Sequence, residues 1–346
     1  MNEAVKKSYT YLPGLDGMRF LAFLLILANH TDLLKRVNGH SFFFLLTGFL
    51  LAYITIGEVN HKGGFNLKRY LLRRYIRTLP IFYLAALAAI GTALFFEHVL
   101  HDRLTTGKLW PYLLLIHNYF PQDILFPLAN LWAMGVTEQF YLVLGLFFLA
   151  FPHFNYRHAV LFTLAGLLIF CYSLFALERF HRPYSIYYIC NFGMGLLLAL
   201  FSTRDTPFLK SIINHSRGKV VLCYALSLLL LCFGFHMNEY PWLPFMEIIL
   251  CLGYAYIIIN ISFGKFKLIP LDRMPVLQKL GKQTFSMYCF HSFVVTGMQK
   301  TFSYFHIDAS PLVQFLVAIP PTIAVAQLTY KYIERPIIAF KDRFSA

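Results

Sequence analysis

The chain alternates long apolar blocks with short polar joints. Ten blocks approach the roughly 20 residues that a helix needs to cross a hydrocarbon layer. They lie at approximately 17–34, 41–57, 79–97, 133–151, 158–177, 186–201, 219–236, 243–261, 283–299 and 312–331. An eleventh apolar piece, 109–120, is shorter and reads as re-entrant or interfacial. The pattern predicts an all-α integral membrane protein, a single bundle of about ten transmembrane helices. No repeat, low-complexity tract or linker divides it, so residues 1–346 read as one domain with no fused soluble domain.

Composition agrees with this reading. The chain is 58% hydrophobic and only 13% charged, against about 25% charged in an average soluble protein. The net charge of +14 would suit nucleic acid, but its placement argues for topology instead. With the N-terminus in the cytoplasm, 22 of the 30 basic residues fall on the cytoplasmic side. That asymmetry predicts a multi-pass protein of the cell membrane with both termini cytoplasmic and an even number of spans, and leaves no need for a nucleic-acid partner. The first block follows Tyr11, Leu12 and Pro13 and runs on with no small-residue cleavage site, so it does not read as a signal peptide. All six cysteines lie within apolar blocks without metal or disulfide spacing, and read as small packing residues. No metal is expected: His30, His40 and His291 lack the spacing of a ligand set.

The informative residues are the ionisable ones inside the blocks, because a charge in lipid is costly and faces a partner or a cavity. Arg19 and His30 are eleven residues apart, about 16 Å along a helix and close to three full turns, so they share a face. Histidine can take a proton from a hydroxyl, and arginine can hold a phosphate or carbonyl. A snorkelling arginine and an interfacial histidine fit the same spacing. Glu138 lies about one turn into the fourth block and could orient a histidine, accept a proton, bind a sugar hydroxyl, or simply pair with another helix. His291 is eight residues from Gln283, at mid-depth in the ninth block, and a structural hydrogen bond explains it equally. Arg69, Arg73 and Arg77 recur every four residues, with Arg74 beside them. They make either an interfacial basic helix on anionic lipid or an anion site. Glu334, between Lys331 and Arg335, reads as a local ion pair, and Glu247 as an inward polar contact.

Six segments taken together resemble the acyltransferase 3 family of integral membrane acyltransferases. YLPGLDGMRFLAFLLILANH (residues 11–30) resembles its arginine, ten residues, histidine signature, on Arg19 and His30. FFFLLTGFLLAY (42–53) is similar to FFxLSGFL, with Thr47 where serine is usual. LLRRYIRTLPIFYL (71–84) looks like RRxxRxxPxYYL, and LWAMGVTEQFYL (131–142) looks like LWSLxVEEQFYL, with Thr137 in place of the first glutamate. LGKQTFSMYCFH (280–291) looks like LGxxSYxxYLxH, with Cys289 and Phe290 departing from it. YIERP (332–336) matches the closing E-x-P element.

The resemblance implies transfer of an acyl group, commonly acetyl, from cytoplasmic acyl-CoA to a hydroxyl. The acceptor it implies is an envelope glycan or a lipid-linked saccharide. It makes His30, Arg19 and Glu138 the catalytic candidates, with His30 as general base or acyl carrier. Arg73, Arg74 and Arg77 become the candidates for the CoA phosphates, and His291, Tyr288 and Gln139 supporting or substrate-binding residues. A transporter or flippase for a lipid-linked sugar is the rival class, since ten spans with intramembrane charges fit it too. It would work without acyl-CoA and release no thiol. Matching broken helices in two halves would favour it, and none is evident.

Overall fold

The protein is described by a computed structural model covering residues 11–34, 39–99, 110–120, 128–151, 155–175, 185–204, 206–236 and 242–343. The basic residues Lys6, Lys7, Lys35, Arg36, Arg103, Lys108, Arg179 and Arg182 lie outside these described residues. Among the described residues there are helices and turns and no strand. The helices are α1 (Pro13–His30), α2 (Gly39–Lys62), α3 (Leu67–Val99), α4 (Trp110–Leu113), α5 (Trp132–Ala150), α6 (Tyr156–Phe175) and α7 (Ile189–Thr203). They continue as α8 (Pro207–Ile213), α9 (Arg217–His236), α10 (Leu243–Phe263), α11 (Pro275–Lys282), α12 (Thr284–Tyr304), α13 (Pro311–Thr329) and α14 (Arg335–Arg343). A π-helical turn, Tyr330–Glu334, joins the last two.

Eight of these helical stretches are long and apolar enough to cross a membrane, against the ten expected. The two expected spans that fall short are 17–34 and 283–299. They correspond to α1, with Asp16, Arg19 and His30, and α12, with its serines, threonines, Gln299 and His291. Both bury much of their length inside the bundle rather than against lipid. Their polar load therefore faces protein, where it can be paired.

The joints follow local chemistry. Pro13, Pro207, Pro275 and Pro311 occupy the first helical position, where a missing N–H costs nothing. The hydroxyls of Thr206 and Ser310 accept from the amides of Leu209 and Val313, three residues on. Pro80 does not end α3, which runs for 33 residues. The basic run and the third span are thus one continuous helix. The lost hydrogen bond at Pro80 is outweighed by fully buried Ile81, Phe82, Ala85 and Ala89 just beyond it. Residues 110–120 do not span. Helix α4 gives way to a 3₁₀ turn, His117–Tyr119, whose His117 and Asn118 are buried.

Helices approach closely where side chains are small, as lipid-borne helices must when water supplies no drive to bring them together. Helices α2 and α7 make the most extensive pairing. A Cβ on Gly195 would lie 2.4 Å from the Leu45 carbonyl oxygen, and one on Gly48 2.4 Å from that of Phe192. The same device seats α1: a Cβ on Gly281 would fall 1.8 Å from the Asp16 carbonyl oxygen. Gly39 sets the register of α2 on α1, its would-be Cβ being 3.1 Å from the Ala22 carbonyl oxygen and 2.8 Å from Ile26. Helix α2 therefore starts beside the middle of α1.

Gly195→Ala should push α7 off α2 backbone and cost about 1–3 kcal/mol, read as a lower unfolding temperature in detergent. Gly91→Ala, whose new Cβ would meet nothing within 4 Å, should leave that temperature unchanged or raise it.

Candidate active site

Helix α1 brings Arg19 inward one turn after Asp16. The guanidinium Nη1 lies 2.8 Å from Asp16 Oδ1, and the Tyr11 hydroxyl donates to the other oxygen of the same carboxylate. Burial and this acceptor push the Tyr11 phenol up, which keeps it a neutral donor. Lys282 sits over the Tyr11 ring at 5.3 Å. The charge of the half-buried Arg19 is thus answered locally by the buried Asp16 carboxylate.

Arg19 opens on a cavity of about 150 Å³. Arg74 and Arg77 from α3 line it too, with Thr47, Thr78, Thr137 and Thr284 as hydroxyls and Phe43, Phe44, Leu50, Leu51 and Met134 as apolar wall. Arg77 and Arg19 line the same cavity, so their like charges oppose each other across it. Arg74 also lies over the Tyr70 ring at 6.0 Å. Three guanidiniums on a largely apolar wall make a site for an anionic group carrying a slender apolar arm. Arg73 is not on this wall. It pairs with Glu58 of α2, because successive residues of a helix point about 100° apart.

Two carboxylates back the arginines. Glu138 on α5 is 2% exposed, and both its oxygens are buried without a hydrogen-bond partner. Arg74 and Thr78 are the groups that bear on it, and the Thr78 hydroxyl donates to the Arg74 carbonyl at 3.1 Å. Glu334, in the π-helical turn, is also 2% exposed. The local ion pair expected from its neighbours does not form: its Oε1 accepts from the Ser286 hydroxyl, and Arg77 attracts it. The extra residue of a π turn rotates the chain, which turns Glu334 inward while Lys331 and Arg335 stay exposed.

His30 and His291 form a separate pair. Their ring centroids are 5.2 Å apart, and the Nε2 atom of each is buried without a hydrogen-bond partner. Neither lines the cavity. Tyr288 does, and its ring is 5.5 Å from that of His291, so it stands between the arginine-lined space and the histidines. The Tyr288 hydroxyl donates to the Asn130 carbonyl, and His40 Nε2 lies 3.5 Å from it. His40, which also lines the cavity, stacks obliquely on Trp132 at 4.7 Å. Among the described residues no group of three His, Cys, Asp or Glu side chains could hold a metal ion.

Gln139 faces elsewhere. Its Nε2 donates to the Leu115 carbonyl and to Asn118 Oδ1, each at 2.8 Å, and its Oε1 accepts from Ser185. It ties α5 to the 110–120 segment and to the 3₁₀ turn Ser185–Tyr188 that precedes α7. Glu247 accepts from Asn191 at 2.8 Å, joining α10 to α7. Asp16, and Tyr141 of α5, which lines the cavity, are site residues that spacing alone did not single out, whereas Glu334 and His40 stood out in the sequence but not as parts of this site. The i, i+3 relation of Asp16 to Arg19 was the one readable signal.

These features define a helical membrane protein built round an arginine-lined cavity, with a histidine pair, His291 buried and His30 half-buried, beyond its wall. Residues 12–331 match the family model described as an acyltransferase domain, acyltransferase 3, and the chain belongs to that family. A Staphylococcus aureus (strain COL) protein, named provisionally as an O-acetyltransferase, is 27% identical over 95% of this chain and 58% of its own length. The peptidoglycan O-acetyltransferase OatA of Listeria monocytogenes is 24% identical over 97% of this chain and 57% of its own. Bacillus subtilis YrhL, named provisionally as a peptidoglycan O-acetyltransferase, is 25% identical over 95% and 55%. The chain therefore spans a little over half the length of these relatives. No solved structure matches it.

Gln139→Ala would remove the donor to Asn118 Oδ1 and the Leu115 carbonyl and the acceptor of the Ser185 hydroxyl, a cost of about 1–3 kcal/mol. Its expected signature is a lower unfolding temperature with the affinity of the folded fraction for anionic ligands unchanged.

Proposed function

We propose that the chain is a membrane O-acyltransferase that moves an acetyl group from cytoplasmic acetyl-CoA to a hydroxyl of a cell-envelope glycan of the peptidoglycan class. The observation that carries this reading is the convergence of Arg19, Arg74 and Arg77 on one cavity whose wall, Tyr288, touches the His291 ring beside His30. Family membership and the names of the relatives supply the reaction class.

In this reading both termini are cytoplasmic. The phosphates of acetyl-CoA rest on Arg74, Arg77 and Arg19, and the pantetheine arm follows the apolar wall toward Tyr288. Charge-assisted bonds from guanidinium to phosphate hold the donor while its thioester projects inward. Arg73 holds α3 to α2 through Glu58 and leaves the phosphates to its neighbours. Glu138 acts on Arg74 rather than on His30, countering its charge when no donor is bound. His30 takes the proton of the acceptor hydroxyl. The hydroxyl oxygen then bonds to the acyl carbon, the carbon–sulfur bond breaks, and the proton leaves on the CoA thiol. If His30 first carries the acyl group itself, the same atoms balance in two steps.

The test uses the full chain in lipid nanodiscs with acetyl-CoA and a disaccharide peptidoglycan fragment. Thiol release is followed optically and the ester by mass spectrometry. His30→Ala should lower kcat by about 10²–10⁴-fold with the KM for acetyl-CoA little changed. Arg74→Gln and Arg77→Gln should each raise that KM by about tenfold or more, whereas Arg73→Gln stays within about threefold. Full activity of His30→Ala, or an absence of thiol release with every glycan acceptor, would sink the proposal.

A further inference from the structure

The second histidine of the pair has no part in the scheme above, yet it is the more deeply buried of the two. His291 is 0% exposed on α12. Phe23 meets its ring edge-on at 5.7 Å, Tyr288 lies at 5.5 Å and His30 at 5.2 Å. Its Nδ1 is 2.7 Å from the Tyr288 carbonyl oxygen. A carbonyl only accepts, so Nδ1 carries a hydrogen. Protonating both nitrogens would leave a second N–H buried with no acceptor, a costly state. The ring is therefore neutral, and its lone pair is on Nε2.

That lone pair has no hydrogen-bond partner, and neither does Nε2 of His30 beside it. If both Nε2 atoms were unprotonated, neither could donate to the other. An N–H on His30 Nε2 is complementary to the lone pair on His291 Nε2. The ring centroids are 5.2 Å apart, a separation that a direct bond or one bridging water can close. His30 is the last residue of α1.

We infer that His291 is a positioning residue: it holds the proton of His30 on Nε2 and so leaves His30 Nδ1 as the basic nitrogen that meets the acceptor hydroxyl. The inference rests on His30 being the base. His291 then does for His30 what an orienting group does in a hydrolytic triad, fixing tautomer and ring angle and accepting an N–H bond that strengthens once His30 is protonated. The proton itself enters at His30 Nδ1 and leaves from it to the thiolate, so His291 exchanges none.

Two substitutions separate the nitrogens. His291→Asn can keep a donor near the Tyr288 carbonyl but reaches no further. His291→Gln can put an amide oxygen near the place of Nε2. In nanodiscs His291→Asn should lower kcat by at least about tenfold with the KM for acetyl-CoA within about twofold, while His291→Gln keeps most of the activity. His30→Ala combined with His291→Asn should be no slower than His30→Ala alone. Equal losses in the Asn and Gln variants, or a His291→Asn kcat close to wild type, would overturn the inference while leaving His30 as base if His30→Ala is still inactive. Activity in His30→Ala would instead sink the parent proposal. A readout independent of activity and of variant folding is nitrogen NMR of the histidine-labelled wild-type chain. The expected result is opposite tautomers, Nε2–H at His30 and Nδ1–H at His291. Matching tautomers overturn the assignment.

Discussion

The structure depends on the compensation of charge that has been taken out of water. A guanidinium within a helical bundle is tolerated only with a partner and hydrogen bonds to hold it. Arg19 has Asp16 one turn back on its own helix, and Asp16 is also held by Tyr11. That arrangement requires the first turn of α1 to be clamped by neighbouring backbone. Gly281 meets the Asp16 carbonyl so closely that no side chain would fit. The GLDG stretch at the start of α1 is thus a packing device before it is a chemical one, with Gly14 against Ile261 and Gly17 against Leu271.

From that clamp the rest of the site follows. With α1 seated, Arg19 faces Arg74 and Arg77 across one cavity, and α12, which begins just after Gly281, carries Tyr288 and His291 alongside α1. The three cavity arginines are opposed by two buried carboxylates set behind them, Glu138 by Arg74 and Glu334 by Arg77. Each carboxylate has at least one oxygen without a hydrogen-bond partner. An array of this kind leaves guanidinium donors open to a more strongly charged anion, which a tightly bidentate ion pair would not. The histidines lie outside this field, behind Tyr288, in surroundings built from Phe23, Tyr288 and each other. The arginine-lined cavity and the histidine pair therefore occupy different compartments of the same bundle.

Reading the chain alone located the pieces better than their partnerships. The basic run of α3 was visible as a four-residue repeat, but the repeat pairs Arg73 with Arg77, whereas the cavity takes Arg74 and Arg77. Arg73 was diverted by Glu58, fifteen residues away, through a turn that places α2 beside α3. Glu334 looked like a member of a surface ion pair because Lys331 and Arg335 flank it. A single π turn faces it inward instead, and no propensity scale anticipates that. Gln139, inside a segment that resembles a functional motif, is committed to holding three elements together.

The sequence by itself determined that the chain is a helical membrane bundle, because hydrophobic run length against bilayer thickness is a one-dimensional quantity. It also determined which ionisable residues were candidates, because a charge inside an apolar run is conspicuous wherever the helix goes. Only the tertiary structure decided which of them meet. Arg19 with Arg74 and Arg77, Glu334 with Ser286, and His30 with His291 are separated by tens to hundreds of residues. Their meeting depends on interhelix approach at glycines and on the rotation of each helix about its axis. A rotation of about 100° per residue makes neighbours in sequence point to different partners, so which arginine faces the cavity is settled by packing and not by spacing.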